Sequence, residues 1–395
     1  MINSLNVILF MGSLVLLVPC LVFCIECLAA LLPRRSQPEK REINLPKTTI
    51  LVPANNEAAQ IYPVLETALQ QLTELDQLIV IADNCSDDTA AIARNTGATV
   101  IERTNLELRG KGYALDCGLQ YIQVDPPEVV VILDADCLLA PGAIDRITRL
   151  AHTTGKPVQS TYLMERPDNQ GIRDNISAFA LTVKNMLRLQ GLNRLGCHCL
   201  LTGSGMAFPW SVIREVSLAS GNIVEDMQLT IDLILAGHTT LFCPTARVTG
   251  ILPSSQKAAK SQRTRWEHGH LRTILTQVPR LLKEFVRQGD FKLLIVALDI
   301  LIPPLSLLIM TWLATTIIAW LAVEIGASLI PAKILTLIGC FLGATIFLIW
   351  GVFGRSILPL QNLLAIPLYI LSKIPIYLKF FIQPQSKWLR TERDR

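Results

Sequence analysis

The sequence predicts an α/β fold, a doubly wound and mostly parallel sheet, flanked by helices that cross a membrane. Three observations predict it. Short apolar runs alternate with helical patterns between Thr48 and Leu133. Three of those runs end in polar, acid-bearing clusters. Of the 395 residues, 51% are hydrophobic and 17% charged, against about 25% charged in soluble domains, and long apolar stretches lie at both ends.

The first element is the stretch from Leu5 to Leu32, whose one charge is Glu26. A span needs roughly 20 residues. A cleaved signal would have an apolar region of about 7–15 residues behind a basic start. Here Met1-Ile2-Asn3-Ser4 has no charged side chain, so the segment reads as a retained anchor. Arg34, Arg35, Lys40 and Arg41 follow. By the positive-inside rule that end, and roughly the next 250 residues, face the cytoplasm.

The cytoplasmic part opens with a buried-strand pattern, Thr48 to Pro53, then a helical pattern from Asn55 to Leu72. Leu78 to Ala82 is a second strand, Ala90 to Gly97 a helix, and Thr99 to Glu102 a third strand. Tyr113 to Ile122 is helical and Val129 to Leu133 is a fourth strand. This βαβα order argues a mostly parallel sheet. In such sheets ligands bind beyond the carboxyl ends of the strands. The clusters at 53–57, 83–89 and 134–136 sit at such ends, so they converge on one edge.

The C-terminal third returns to the membrane. Leu271 to Arg287 alternates apolar and basic residues at helical spacing, which suits a membrane surface. Leu293 to Val323 is apolar but broken by Asp299 and Pro303-Pro304; its second half reads as a span and its first as a shallow or re-entrant helix. Ile334 to Phe353 is the next span. Ile357 to Ile382 holds Gln361, Asn362, Lys373 and Lys379, and reads as interfacial or re-entrant more than as a further span. The basic tail with Lys387, Arg390, Arg393 and Arg395 stays inside. Three parts result: an anchor and linker over 1–40, a cytoplasmic domain over 41–270, and an interfacial and transmembrane region over 271–395.

Charge and cysteines exclude other classes. A net charge of +4 without a Lys/Arg run excludes a nucleic-acid partner. The ten cysteines form no disulfide framework, and Cys197-His198-Cys199 lacks a second pair at zinc spacing.

The residues that carry chemistry lie in the clusters. Asp134-Ala135-Asp136 follows a strand, and two carboxylates one residue apart suit a hard divalent cation that bridges to phosphate. Asp83, at another strand end, can accept hydrogen bonds from a nucleobase or ribose, or simply cap the following helix; Thr89 or Asp88 could serve as that cap instead. Lys111 lies between Gly110 and Gly112 in a loop suited to phosphate, although the Walker pattern is absent. Asp226 starts an amphipathic run and suits a general base, or simply compensates a helix dipole. Arg265 can neutralise a diphosphate and Trp266 can stack on a sugar or base.

Together these residues resemble the family 2 inverting glycosyltransferases, in the membrane-bound branch of cellulose, chitin and hyaluronan synthases and ceramide glucosyltransferase. The match runs in order from Thr49 to Gly269. It comprises Val52-Pro53-Ala54-Asn55-Asn56-Glu57, Ile81 to Thr89, Gly110-Lys111-Gly112-Tyr113-Ala114-Leu115, Asp134-Ala135-Asp136, Glu225-Asp226, and Gln262 to Trp266. The resemblance implies a GT-A-like nucleotide-sugar domain. It implies that Ala54, Glu57 and Asp83 contact uridine with Lys111 beside them. Asp134 and Asp136 would hold the diphosphate through Mg²⁺ or Mn²⁺, Asp136 more directly. Asp226 would be the catalytic base, Gln262, Arg265 and Trp266 would close over the donor diphosphate, and Gly203-Ser204-Gly205-Met206 would form an acceptor-side loop. Two departures bear on base preference: Ala82 replaces the first acid of an acid pair, and Asn84-Cys85 replace Gly-Ser.

The implied enzyme is an integral, multi-pass protein of the cell or inner membrane. It moves a sugar from a UDP-sugar-type donor to a lipid, lipid-linked or glycan acceptor with inversion. Few spans favour single transfer over a processive synthase that extrudes a polymer. A non-catalytic nucleotide-binding adaptor is the reading from another class, and the retained Asp226 argues against it.

Overall fold

The computed structural model describes residues 2–33, 45–165, 171–253 and 255–385. The basic clusters at 34–41 and 387–395, on which the sidedness expectation rests, lie outside the described residues.

The described residues divide into two units, one drawn from Met1–Pro33, Gln170–Leu195 and His270–Pro384, the other from Arg34–Asn169, Gly196–Gly269 and Gln385–Arg395. The domain expected over 41–270 is therefore interrupted. Its stretch 171–195 belongs with the apolar helices because Ile176, Phe179, Val183 and Leu187 share a buried core with Cys20, Phe23, Cys24 and Leu342.

In the second unit eight strands form one sheet: β1 Thr48–Ala54, β2 Gln77–Asp83, β3 Thr99–Arg103, β4 Val129–Ile132, β5 Cys137–Leu139, β6 Val158–Glu165, β7 Met206–Pro209 and β8 Leu241–Ile251. Their spatial order is β3-β2-β1-β4-β7-β6-β8-β5. The first four are parallel, and β7 joins β4 antiparallel. Ile50, Leu51, Val52, Ile79, Val80, Ile81 and Val129 to Leu133 are fully buried. Continuous apolar runs of this kind mark strands covered on both faces. Ile61–Leu69, Thr89–Asn95 and Lys111–Ile122 are the crossover helices.

Two local expectations are corrected. The helix expected from Asn55 starts at Ile61. Asn56 has φ +56°, which a right-handed helix does not contain, and its Oδ1 accepts a hydrogen bond from the Ser86 amide at 2.6 Å. Asn55 Nδ2 donates to the Asp83 carbonyl at 2.6 Å. These side chains fasten the first polar cluster to the second, so 55–60 stay in a loop. Asp88 holds the N-cap position of the next helix but its side chain makes no cap bond; it is Asp87 whose Oδ1 accepts from the Thr89 amide at 3.1 Å and hydroxyl at 2.5 Å.

The first unit is helical. Ile2–Ala29, Leu305–Glu324, Leu329–Gly354 and Leu360–Ile382 are long and apolar enough to cross a membrane. The last, expected as interfacial, consists of a 3₁₀ stretch and two short α-helices, Leu360–Ala365, Ile366–Leu371 and Ile374–Ile382. The stretch before Pro303 forms the separate helix Phe291–Leu301. The helix expected from Ile334 starts at Leu329, because the Ser328 hydroxyl caps it by accepting from the Ile330 amide at 3.3 Å. Arg188 ends a π-helical turn and is buried between Glu26 and Asp299. In Gln256–Gln288, Val278 and Leu281 are buried, whereas Leu275, Leu282 and Val286 are exposed.

Candidate active site

The carboxyl ends of β1, β2 and β4 lie side by side, so the three clusters meet as their positions in the sequence imply. Leu133 N donates to Leu51 O at 3.1 Å, which carries the register past the end of β4 up to Asp134. The Asp134 amide then donates to Ser204 Oγ at 3.0 Å. Carboxylate oxygens of Asp134 and Asp136 and the Cys137 Sγ lie within 4.8 Å of one another, a group of metal-ligand type. Two carboxylates are the oxygen donors Mg²⁺ and Mn²⁺ prefer. The soft Cys137 thiol does not suit these ions, and it donates to Asp136 Oδ1 at 3.5 Å. The residues present fit a hard divalent cation held by Asp134 and Asp136.

Lys111 opens its helix after Gly110, whose φ of +129° only glycine adopts readily. Its Nζ lies 2.6 Å from Asp134 Oδ1 and 3.5 Å from Glu225 Oε1, and donates to Gly203 O at 2.6 Å. The ammonium therefore stands with the Asp134 carboxylate. Burial works against its charge, but Asp134 and Glu225, with Asp226 further off, hold its pKa above the usual lysine value. Burial also raises the Asp134 pKa, opposed by Lys111 and aided by Asp136. Gly112 is packed tightly: a Cβ there would stand 2.3 Å from the Leu218 carbonyl oxygen.

Asp226 occupies the second position of the helix Glu225–Leu235, and its Oδ1 accepts from the Met227 amide at 2.8 Å. A Cβ placed on Gly203 would stand 3.6 Å from Asp226 Oδ2 and 3.8 Å from Lys111 Nζ. The carboxylate and the ammonium thus flank the same backbone. A small cavity of about 40 Å³ beside them is lined by Lys111, Glu225, Asp226 and Asp232 among others.

At the other end, Asp83 Oδ1 accepts from Arg103 Nη1 at 2.6 Å and Asn84 Nδ2 at 2.9 Å. Ala54 is buried and its carbonyl accepts from Cys85 Sγ at 3.5 Å. The Glu57 amide donates to Thr89 Oγ1 at 2.8 Å. Gln262 is buried, and Arg265 and Trp266 are half-buried, on the helix Gln256–Gln288. Their helix packs closely on the residue before Glu225-Asp226: a Cβ on Gly269 would fall 2.6 Å from Val224 Cγ1. The Arg265 Nε is buried without a partner. Cys197, His198 and Cys199 form no metal-ligand group of three among the described residues.

Sequence reading missed the residue that holds the 202–205 loop. Gln159, fully buried on β6, accepts from the Thr202 amide at 2.8 Å and donates to the Ser204 and Ser160 carbonyls at 2.9 Å. That loop in turn holds Lys111 and Asp134. On β6 it stands beside Ser160 and Thr161, so nothing in the local sequence singles it out. Gln159→Leu leaves a buried amide and carbonyls unpaired, at about 1–3 kcal/mol for each group. We expect kcat/KM to fall at least about tenfold. A lowered melting temperature with unchanged kcat/KM would remove Gln159 from the site's support.

A mostly parallel sheet flanked by helices, with acids and a half-buried lysine at its carboxyl edge, defines the class of the second unit as α/β. The chain matches the family described as "Glycosyltransferase like family 2" over residues 46–269, more than half its length, and it belongs to that family. A 4,4'-diaponeurosporenoate glycosyltransferase of Staphylococcus aureus (strain USA300) is 32% identical over 115 residues, 28% of this chain and 30% of that protein. The form from strain MRSA252 is 36% identical over 89 residues, 22% and 23% of the two chains. The match thus spans under a third of these relatives' length. The structure of a mannosyltransferase from Pyrobaculum calidifontis, in complex with GDP-Man and Mn²⁺, aligns with a TM-score of 0.58 at 18% identity, covering 98% of this chain and 100% of that one. That likeness shows a shared fold.

Proposed function

We propose that the protein transfers a sugar, with inversion, from a UDP-sugar-type donor to a lipid or lipid-linked acceptor, and that its catalytic unit faces the cytoplasm. The observation that carries the reading is the convergence of Asp134, Lys111 and Asp226 around Gly203. A diphosphate held at Asp134 and Asp136 would lie beside a lysine ammonium, with one carboxylate next to it placed to take a proton. A bound Mg²⁺ or Mn²⁺ would neutralise the diphosphate and favour its departure. The buried, unpartnered Arg265 Nε is a further donor for that charge.

Asp226 takes the proton of the acceptor hydroxyl as it attacks the anomeric carbon in line. With one base and no second carboxylate assigned as nucleophile, a single displacement inverts the centre. The apolar helices support a membrane-borne acceptor, as does the name of the Staphylococcus relative, which specifies 4,4'-diaponeurosporenoate. The candidate spans are too few for an obvious polymer channel, which favours single transfer over extrusion. The domain organisation follows the two units: donor chemistry in the sheet unit, membrane embedding in the helical one.

The test is a donor screen on purified protein in detergent with Mn²⁺, scored by release of nucleoside diphosphate. We expect EDTA to abolish release and Mn²⁺ or Mg²⁺ to restore it. Asp136→Asn should weaken Mn²⁺ binding, read by electron paramagnetic resonance. Full activity in EDTA would overturn the metal reading. A product that keeps the donor's anomeric configuration, seen by NMR, would overturn inversion.

A further inference from the structure

Arg103 belongs to none of the motifs described above, yet it joins both ends of the donor site. It closes β3 directly opposite Asp83, with which it pairs in the parallel register. Its Nη1 donates to Asp83 Oδ1 at 2.6 Å, and the two side chains are only 13% and 8% exposed. Its Nη2 donates to the Leu108 carbonyl at 2.8 Å. The guanidinium lies 5.9 Å from the Tyr113 ring centroid. Asn84 Nδ2 meets the same Asp83 oxygen, and Asn84 Oδ1 accepts from the Asn105 amide at 2.8 Å. Asn105 Oδ1 in turn accepts from the Glu107 and Leu108 amides. The segment 104–110, which leads into Lys111, is thus fastened to the Asp83 carboxylate through Arg103 and Asn84.

We propose that Arg103 is a positioning residue for the donor's nucleoside: it holds Asp83 by Oδ1, leaves Oδ2 to accept a ring N–H of the base, and ties that carboxylate to the Lys111 loop. This rests on the nucleotide-sugar donor site proposed above. The chemistry specifies a base with a ring N–H beside a carbonyl, as in uracil and guanine. A guanidinium has five N–H donors; two are committed here, which leaves donors for the base carbonyl. Adenine and cytosine present a bare ring nitrogen instead, whose lone pair opposes the carboxylate.

The experiment uses the full-length protein in detergent with Mg²⁺ and measures binding of UDP against N3-methyl-UDP, and of GDP against N1-methyl-GDP, by calorimetry. For wild type we expect methylation to weaken the preferred nucleotide about 10- to 100-fold, the worth of a hydrogen bond to a charged group. In Arg103→Met the unmethylated nucleotide should weaken by a similar factor while the methylated one changes little, so the discrimination collapses. Donor KM should rise more than kcat falls, and Arg103→Lys should recover part of the discrimination. Melting temperatures report whether each variant is folded. Undiminished discrimination in a folded Arg103→Met, or equal loss for both nucleotides, overturns the proposal. A wild-type protein that binds neither UDP nor GDP overturns the donor reading, and this proposal with it.

Discussion

Asp226→Asn is expected to lower sugar transfer by about 10²–10⁴-fold, the usual worth of a general base, while donor binding persists. The substitution is isosteric and keeps an oxygen for the Met227 amide, which now bonds Asp226 Oδ1 at 2.8 Å. It removes the negative charge beside Lys111, one of three carboxylates acting on that ammonium. Asp134 and Glu225 remain, so the lysine keeps its place and the diphosphate site survives. What is lost is the basic oxygen that, in the proposed mechanism, takes the acceptor proton. A drop of that size is roughly 3–5 kcal/mol in the barrier. The measurement pairs nucleoside diphosphate release with donor affinity. Transfer at the wild-type rate would remove Asp226 from the mechanism, and lost donor affinity would make it a structural acid.

The largest effect on stability is expected at Arg188. Its Nε lies 2.6 Å from Glu26 Oε2, and its Nη2 donates to both the Asp299 carbonyl, at 2.9 Å, and the Asp299 carboxylate. All three side chains are under 10% exposed. Burial opposes the guanidinium charge, but Glu26 and Asp299 outweigh it and raise its pKa. Arg188→Met leaves two buried carboxylates facing each other with no cation. Breaking a buried pair in this way costs about 3–5 kcal/mol. The triple variant Glu26→Gln, Arg188→Met, Asp299→Asn removes the charges together and should recover most of the loss. Thermal unfolding in detergent distinguishes the outcomes. An unchanged transition in the single variant would mean that the triad contributes nothing net. The triad ties the Ile2–Ala29 helix to 183–195 and to Phe291–Leu301, so its loss should loosen the helical unit as a whole.

The two predictions differ in how the sequence bears on them. Asp226 was legible because it belongs to a local motif, Glu225-Asp226 at a helix start. Asp134, Asp136 and Lys111 were legible for the same reason. Arg188 was not. Glu26 and Asp299 stood out as charges in apolar stretches, but 162 residues separate Arg188 from one and 111 from the other. Arg103 and Gln159 escaped likewise, because Asp83 for the one and Thr202 and Ser204 for the other are brought to them only by the fold. The helix start misplaced to Asn55 shows the same limit in reverse: a local pattern was overridden by Asn55 and Asn56 side chains bonded to a distant cluster.

By itself the sequence determined the parallel core of the sheet, the apolar segments and the three acidic strand ends. These follow from period and punctuation, which act between neighbours along the chain. It also determined the family, through short motifs in order. Tertiary structure alone decided the four further strands, β5 to β8, the grouping of 171–195 with the apolar helices, and the placing of Lys111 against Asp134. Those depend on which distant groups satisfy a buried charge or backbone bond. An ammonium carries no local mark of its partner; only the folded chain sets it 2.6 Å from a carboxylate.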